Sequence, residues 1–467
     1  MVKISKMAFI YLTPTSGEFQ ITNDLGYDIV RRPQLGFQYL CAVLKKINVE
    51  TDIFDQSISF FNLDWLLEKA KEYDAVGFYC SDCQEEKVKF YCQKIKEKYG
   101  RPILVGGPST LVNSTFLDYG CDIVVHGEGE ITVQQIVEYY EGRRKIEDVK
   151  GISYKRDNKI IEALPQELIE NLDELPFPDR SKVDIKFYYD YLLFGMRKPY
   201  ATMTASRGCI HKCYYCTSCK IWRGRYRRRS VNNVLLEIDE MVKKYNIKYI
   251  SFQDDIFGIT NDWIEDFCKK LNSRPYKIRW MAILHPFSIM KETEKILRLM
   301  RKAGCNALSF GLQSAHSEIL KNVFRHPDEP NQLKKIVKAA NKFGFVTAVS
   351  YIFGLPGDTR ETVQTTIDYS LKNCGALLAS YYTLSVFKGS EIAIRYGDKK
   401  ICELSKEELI KLTVTASKKF YSRPIALLKI GYFIIKNPRW FGKVIINGLP
   451  SVLARIGFIK TKDKVQR

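Results

Sequence analysis

The stretch SRGCIHKCYYCTSC (206–219) places four cysteines within eleven residues, the first three spaced C-x3-C-x2-C. The chain starts MVKISKMAFIYLTPTSGE, where an apolar run of about five residues enters a Pro/Ser/Gly loop, so a first β-strand is expected there and not a leader. Its thirteen cysteines are odd in number and scattered through apolar runs. A cytosolic, reducing compartment is therefore expected, in which clustered thiols indicate metal or redox chemistry rather than disulfides.

Three thiolates on one short loop can hold three corners of a [4Fe–4S] cube, whose ordinary form takes four cysteines. The uncapped iron would be an open position, as in catalytic rather than structural metal sites. Zinc is one alternative, although structural zinc sites often join two separated C-x2-C pairs. Inert, packed thiols are another. Cys219, one C-x2-C step beyond the first three, is expected to pack or stay free.

The 467 residues suggest two or three domains, and an apolar share of 45% supports sizeable cores. Upstream of the loop, MAFIYL (7–12), ETDIFD (50–55), DAVGFYC (74–80), PILVGG (102–107) and DIVVHG (122–127) read as strands. Helices are expected between them at 35–46, 63–72, 84–98 and 130–140. Buried apolar strands with helical crossovers predict an α/β fold with a doubly wound parallel sheet over residues 1–145, its ligands at the strands' carboxyl ends. Residues 146–195 read as a hairpin and a proline-containing linker. A second series of six strand–helix repeats over 196–400 predicts a partial (β/α)6 barrel, with chemistry at the same end of its strands. Its strands are expected at 202–206, 249–255, 279–284, 307–314, 347–357 and 379–387, with a last helix at 360–373. Residues 401–467 read as a basic, amphipathic helical tail without a transmembrane span.

The C-x3-C-x2-C loop, with Tyr215 before its last cysteine, resembles the signature of radical S-adenosylmethionine (SAM) enzymes. The resemblance implies that Cys209, Cys213 and Cys216 hold a [4Fe–4S] cluster whose open iron binds SAM, and that reductive cleavage of SAM yields a 5′-deoxyadenosyl radical. QDDIF (253–257) falls where that family contacts the methionine amino group, which makes Asp254 and Asp255 candidates; a helix cap is the plainer reading. GLQS (311–314) resembles the family's ribose-contacting segment, with Gln313 where Glu is usual, followed by Ser314. FGLPGDT (353–359) matches the segment whose backbone approaches adenosine, at Gly354 and Pro356. RGRYRRRS (223–230) is read as a solvated face, with a role near the SAM carboxylate as the alternative.

Residues 1–145 resemble the cobalamin-binding domain that precedes many radical SAM enzymes, through PQLGFQYLCAVLKK (33–46), VGFYCSD, ILVGGPS and VVHGEGE. That implies corrinoid contacts at Thr13, Gln34, Gly36, Tyr79, Ser81, Gly106, Gly107, Gly127 and Glu128, with Gly106 and Gly107 leaving room for the nucleotide tail. The motif that supplies a lower histidine to cobalt is absent, since no histidine precedes His126. A degenerate sheet that only packs on the barrel is the alternative.

The resemblance implies a cobalamin-dependent radical enzyme, first of all a methyltransferase acting on an unactivated carbon. Cyclase, oxidase or carbon–carbon coupling chemistry is the alternative. An electron donor such as flavodoxin or ferredoxin is an implied partner. An RNA-modifying enzyme would explain the net charge of +20, but thirteen Lys/Arg against one acid from Leu409 onward place +12 of it in the tail. Nucleic acid is therefore not expected as a partner; a lipid-like or other small-molecule substrate is, and for the tail peripheral contact with the inner face of the membrane, with a helical cap packed on the barrel as the alternative. A non-catalytic iron–sulfur protein would need none of the adenosine contacts.

Overall fold

Apolar strands flanked by amphipathic helices must bury both sheet faces, and this chain does so twice. The computed structural model describes residues 3–14, 30–59, 61–190, 198–424, 426–428, 431 and 435. Strands β1 (Lys6–Tyr11), β2 (Glu50–Asp55), β3 (Ala75–Tyr79), β4 (Ile103–Gly106) and β5 (Ile123–Val125) pair in parallel in the order β2-β1-β3-β4-β5. The period-2 pattern of β1 sorts its side chains. Met7 and Phe9 pack with α1 (Leu35–Lys45) and α4 (Gly129–Tyr140), while Ile10 packs with α2 (Leu63–Ala70) and α3 (Glu85–Tyr99). Covering both faces is why β1, β3, β4 and β5 are almost continuously apolar, whereas the edge strand β2 is mostly polar.

The hairpin expected within residues 146–195 forms β6 (Ile152–Arg156) and β7 (Lys159–Glu162), which continue the first sheet antiparallel to β5 through the pair Val125↔Ile152. Short β5 would otherwise leave an open edge of unpaired amides and carbonyls.

The second sheet contains β8 (Tyr200–Met203), β9 (Tyr249–Phe252), β10 (Arg279–Leu284), β11 (Cys305–Gln313), β12 (Val346–Phe353) and β13 (Leu378–Thr383), all parallel and in chain order. Its connecting helices include α5 (Val231–Tyr245), α6 (Asn261–Asn272), α7 (Thr293–Lys302), α8 (Ser317–Asn322), α9 (Glu329–Lys342) and α10 (Arg360–Asp368). Met203, Phe252, Trp280, Phe310 and Phe353 face those helices. Tyr200, Tyr249, Met281 and Ala307 close the opposite face around Tyr188, whose hydroxyl donates to Asp55 Oδ2 of the first unit at 2.9 Å. The helix expected to run to 373 changes to a π-helical turn at Tyr369–Asn373.

α11 (Glu391–Tyr396) and α12 (Lys406–Tyr421) follow. The latter buries Ala416 and Phe420 in the core of the second sheet, and its Tyr421 hydroxyl donates to Ala379 O at 2.9 Å. Of the basic tail beyond Pro424, only residues 426–428, 431 and 435 are described, all of them helical, and the rest lies outside the described residues. Among the described residues no helix is long and apolar enough to cross a membrane.

Candidate active site

Beyond β8, Ser206–Arg207 pairs antiparallel with Arg227–Arg228, and the four cysteines ride on the loop enclosed by that two-rung ladder. Gly208 opens the loop at φ +95°, where a Cβ would lie 1.9 Å from the Arg225 carbonyl oxygen, so only glycine fits. Asp255 braces the loop at two points: the Gly208 amide donates to Oδ2 at 3.1 Å and the Ser218 hydroxyl to Oδ1 at 2.6 Å. The backbone of Tyr214 is pinned between Val323 and Ile392, at 3.1 and 3.0 Å.

Cys213 is buried and Cys209 and Cys216 are half-buried. Burial, reinforced by the neighbouring thiols and by Asp255, pushes Cys209 up to about 12 and Cys216 up to about 11. Burial also raises Cys213. Thiols that disfavour one another's ionisation this way become thiolates only beside a cationic centre. Among the described residues no three His, Cys, Asp or Glu side chains gather around a single-ion position. Zinc needs its sulfurs about 2.3 Å from one point. An iron–sulfur cube instead takes each thiolate on a separate iron.

Asp254 is buried, accepts from the Ala205 amide at 3.1 Å and from the Ser206 hydroxyl, and is pushed up to about 7 by burial. It therefore tethers the exit of β8, while Asp255 ties the cysteine loop. Gln313 sits at φ +71° beside a register shift between β11 and β12. A Cβ at Gly311 would lie 2.5 Å from the Gln313 amide nitrogen, so the glycine of GLQS makes room for that side chain. The Ser314 hydroxyl accepts from the His316 amide at 3.1 Å and shares a hydrogen bond with Thr366. Gly354, at φ +90°, donates its amide to Asp358 at 2.9 Å, and the Pro356 carbonyl accepts from Asn322 at 2.9 Å.

Sequence reasoning missed Arg325. Its buried guanidinium donates to the Tyr215 hydroxyl at 2.6 Å, to the Gly311 carbonyl at 2.7 Å and to Glu329, joining the cysteine loop to the bulge of β11. Nothing in FRH (324–326) marks this. Beside it, burial and then the Arg325 charge hold His285 neutral, lowered to about 2, with its ring stacked on His211 at 3.7 Å.

At the carboxyl end of the first sheet lies a cavity of about 390 Å³. It sits where the strand order reverses between β1 and β3, the switch point at which such sheets take ligands. Gln34, Gly36, Tyr79, Gly106, Gly107, Gly127 and Glu128 line it. Thr13 and Ser81 do not: Thr13 is engaged by Lys87 and Gln56, and the Ser81 hydroxyl donates to Gln84 at 2.7 Å. The glycines differ. Gly107 is dictated by backbone, since its φ is +118° and a Cβ would meet the Cys80 carbonyl at 2.5 Å. At Gly106 a Cβ would only touch Val125 at 3.7 Å, and at Gly36 and Gly127 it would meet open space. No histidine lines the cavity; His126 instead hydrogen-bonds Thr110 and Ser153.

The second unit roofs this cavity with Thr204, Arg207, Ile221, Trp222, Gln253 and Asp255. The arginine run divides in two. Arg225 and Arg228 are exposed, as a solvated face requires, whereas Arg227 and Arg229 are buried against Glu128 and Glu237. Glu128 accepts from Arg227 at 2.8 Å, from the Ile169 amide at 2.8 Å and from Arg207. Against its burial, the two guanidiniums hold its carboxyl below the usual range.

Residues 203–370 match the radical SAM superfamily. An uncharacterized methyltransferase of Pyrococcus horikoshii is 28% identical over 439 residues, covering 87% of this chain and 92% of that one. Cytidylyl-2-hydroxyethylphosphonate methyltransferase of Streptomyces wedmorensis is 27% identical over 319 residues, 60% of this chain and 58% of its own length. Anaerobic magnesium-protoporphyrin IX monomethyl ester cyclase of Cereibacter sphaeroides is 26% identical over 348 residues, 72% and 55%. The chain thus spans little more than half the length of the last two. Among solved structures, the radical SAM methyltransferase TsrM from Kitasatospora setae, with cobalamin and a [4Fe–4S] cluster bound, aligns over 84% of this chain and 74% of its own at a TM-score of 0.66 and 15% identity. The cobalamin-dependent radical enzyme OxsB aligns over 84% and 55%, at 0.64 and 17%. Likenesses of 15% and 17% identity establish the fold. Residues 203–370 thus carry the match to the radical SAM superfamily, and the chain has the fold of these solved structures along most of its length.

Proposed function

We propose that the protein is a cobalamin-dependent radical SAM enzyme that methylates an unactivated carbon of a small or lipid-like substrate. The observation that carries this reading is the shared wall: the three-cysteine loop of the second sheet roofs the cavity at the carboxyl end of the first. Residues 1–163 would form the corrinoid-binding domain, and residues 198–400 a partial barrel.

When bound, the two groups would supply a 5′-deoxyadenosyl radical and a transferable methyl group. The chain's own part is to hold and orient. Cys209, Cys213 and Cys216 would hold the cluster, and Asp255 and Arg325 keep their loop against the strand ends. Tyr215, Gln313, Ser314, Gly354 and Pro356 belong to segments that would frame SAM, and Asp254 supports that frame from behind. Gln34, Gly36, Tyr79, Gly106, Gly107 and Gly127 would border the corrinoid, with Glu128 beneath the shared wall. Burying both groups in one cleft excludes water from the radical. A one-electron donor of the flavodoxin or ferredoxin kind would reduce the cluster.

Anaerobic reconstitution with iron, sulfide and hydroxocobalamin, followed by assay for 5′-deoxyadenosine and S-adenosylhomocysteine, tests the reading. Formation of both products supports a methyltransferase. 5′-Deoxyadenosine alone favours the second reading, a cyclase or other radical outcome, which the magnesium-protoporphyrin cyclase relative motivates. Neither product would refute both.

A further inference from the structure

Four charged side chains lie between the cavity and the cysteine loop, and each is almost completely withdrawn from water. Arg207 donates through Nη1 to Glu128 and through Nη2 to Glu130 at 2.5 Å; Arg227 donates to Glu128 at 2.8 Å and to the Ile169 carbonyl at 2.6 Å. Their side chains retain 11%, 3%, 7% and 4% exposure for Arg207, Glu128, Glu130 and Arg227. Two cations and two anions balance, and Trp222 and Tyr39 close over the guanidiniums at 5.1 to 6.0 Å.

Their placement matters more than their number. Glu128 and Glu130 stand at the start of α4, directly after β5 of the first sheet. Arg207 and Arg227 face each other across the ladder that closes the cysteine loop, with Arg207 two residues before Cys209. Within that loop, Ile221 and Trp222 cover the cavity. Arg227 bonds through Nη1 alone, its buried Nε and Nη2 finding no partner, so the forked Arg207 carries most of the directional bonds that fix geometry where apolar packing would permit sliding.

We propose that Arg207, clamped by Glu128 and Glu130 with Arg227, is a positioning residue that sets the separation and orientation of the cluster loop relative to the corrinoid cavity. The inference rests on the cobalamin reading above and adds a role for the GEGE segment other than corrinoid contact. Because the loop is both the cluster's seat and the cavity's roof, ordering one site orders the other, and linkage makes that effect reciprocal.

The test uses full-length protein reconstituted with iron, sulfide and hydroxocobalamin, then reduced so that cob(II)alamin and the cluster are both paramagnetic. Pulsed dipolar spectroscopy reads their separation. Wild type should give one narrow distance distribution. Arg207→Lys, which keeps the charge but loses the fork reaching both glutamates, and the milder Glu130→Gln should each broaden it at least twofold. Hydroxocobalamin should also bind wild type at least tenfold more tightly after iron–sulfur loading than before, with the gain reduced to under threefold in both variants. Distributions as narrow as wild type, with the tenfold gain intact in either variant that folds, overturn the clamp alone. Wild type that takes up no hydroxocobalamin overturns the cobalamin reading and the clamp together.

Discussion

The two ends at which this chain is built to bind use opposite means. The carboxyl end of the first sheet works by leaving space: Gly36, Gly106 and Gly127 border the cavity with no side chain to fill it. The cysteine loop of the second sheet would work by supplying donors, three thiols whose ionisation burial disfavours. A site made of donors fails when an atom is removed, and a site made of space fails when one is added. The first predictions exploit that asymmetry.

The largest effects belong to the donors. Cys209→Ala, Cys213→Ala and Cys216→Ala should each lose most bound iron and reduce 5′-deoxyadenosine formation by at least about a thousandfold, the scale of removing an essential catalytic group. Cys219→Ala should keep both. Iron analysis and product chromatography decide it; zinc at one equivalent in anaerobically prepared protein, with no iron, would overturn the cluster.

At the space-making end, the two adjacent glycines should separate. Gly106→Leu meets only Val125 and should lower hydroxocobalamin affinity at least a hundredfold, about 2.7 kcal/mol, with the melting temperature nearly unchanged. Gly107→Ala collides with the Cys80 carbonyl at a positive φ, so about 1–3 kcal/mol of stability should be lost. Equal melting temperatures for the two variants would break the distinction. The corrinoid bound by wild type should show a base-off spectrum, because no histidine lines the cavity.

The same asymmetry explains what was legible. Strands such as Glu50–Asp55 and Arg279–Leu284 match their sequence-derived bounds, and helices Leu35–Lys45 and Gly129–Tyr140 fall within a residue of theirs, because periodicity is local. The cysteines were legible because donors carry their chemistry in their identity. Long-range pairing was not. Nothing local says that Ile152 pairs with Val125, that Arg325 reaches Tyr215, or that half of an arginine run is buried against Glu128 and Glu237. Glu128 could be placed at the cavity from GEGE, but its bonds to Arg207 and Arg227 cross about eighty and a hundred residues of sequence.

A smaller effect is expected at the tail. Among the described residues of the tail, Leu427, Leu428 and Ile435 are 58%, 71% and 78% exposed, and residues 420–460 contain no acid. We propose that this segment gives peripheral contact with an anionic membrane. Each Lys or Arg near such a surface contributes about 1 kcal/mol. Because α12 is part of the core through Phe420, the comparison protein should end at Pro424. Full-length protein should float with anionic liposomes at low salt and release at high salt, while the shortened chain stays unbound; equal behaviour would remove the support for a lipid-like substrate.

The smallest effect tests whether Asp254 belongs to the donors or only to their support. Burial raises its carboxyl to about 7, with Ser206 and the Ala205 and Ser206 amides opposing that rise. A carboxyl raised in the folded state binds a proton that the unfolded chain, titrating near about 3.9, releases earlier. Its contribution to stability is therefore fully present below about pH 4 and is lost as pH rises through about 7. Asp254→Asn removes the titration while keeping an oxygen for the Ala205 amide. The variant's melting temperature should gain on wild type as pH rises from 4 to 8, by a few degrees at most. Bound iron should be unchanged, because Asp254 faces the exit of β8 and Asp255 is the residue bonded to the cysteine loop. A loss of SAM affinity in Asp254→Asn, with the pH dependence of melting unaltered, would move Asp254 from the frame into the site itself.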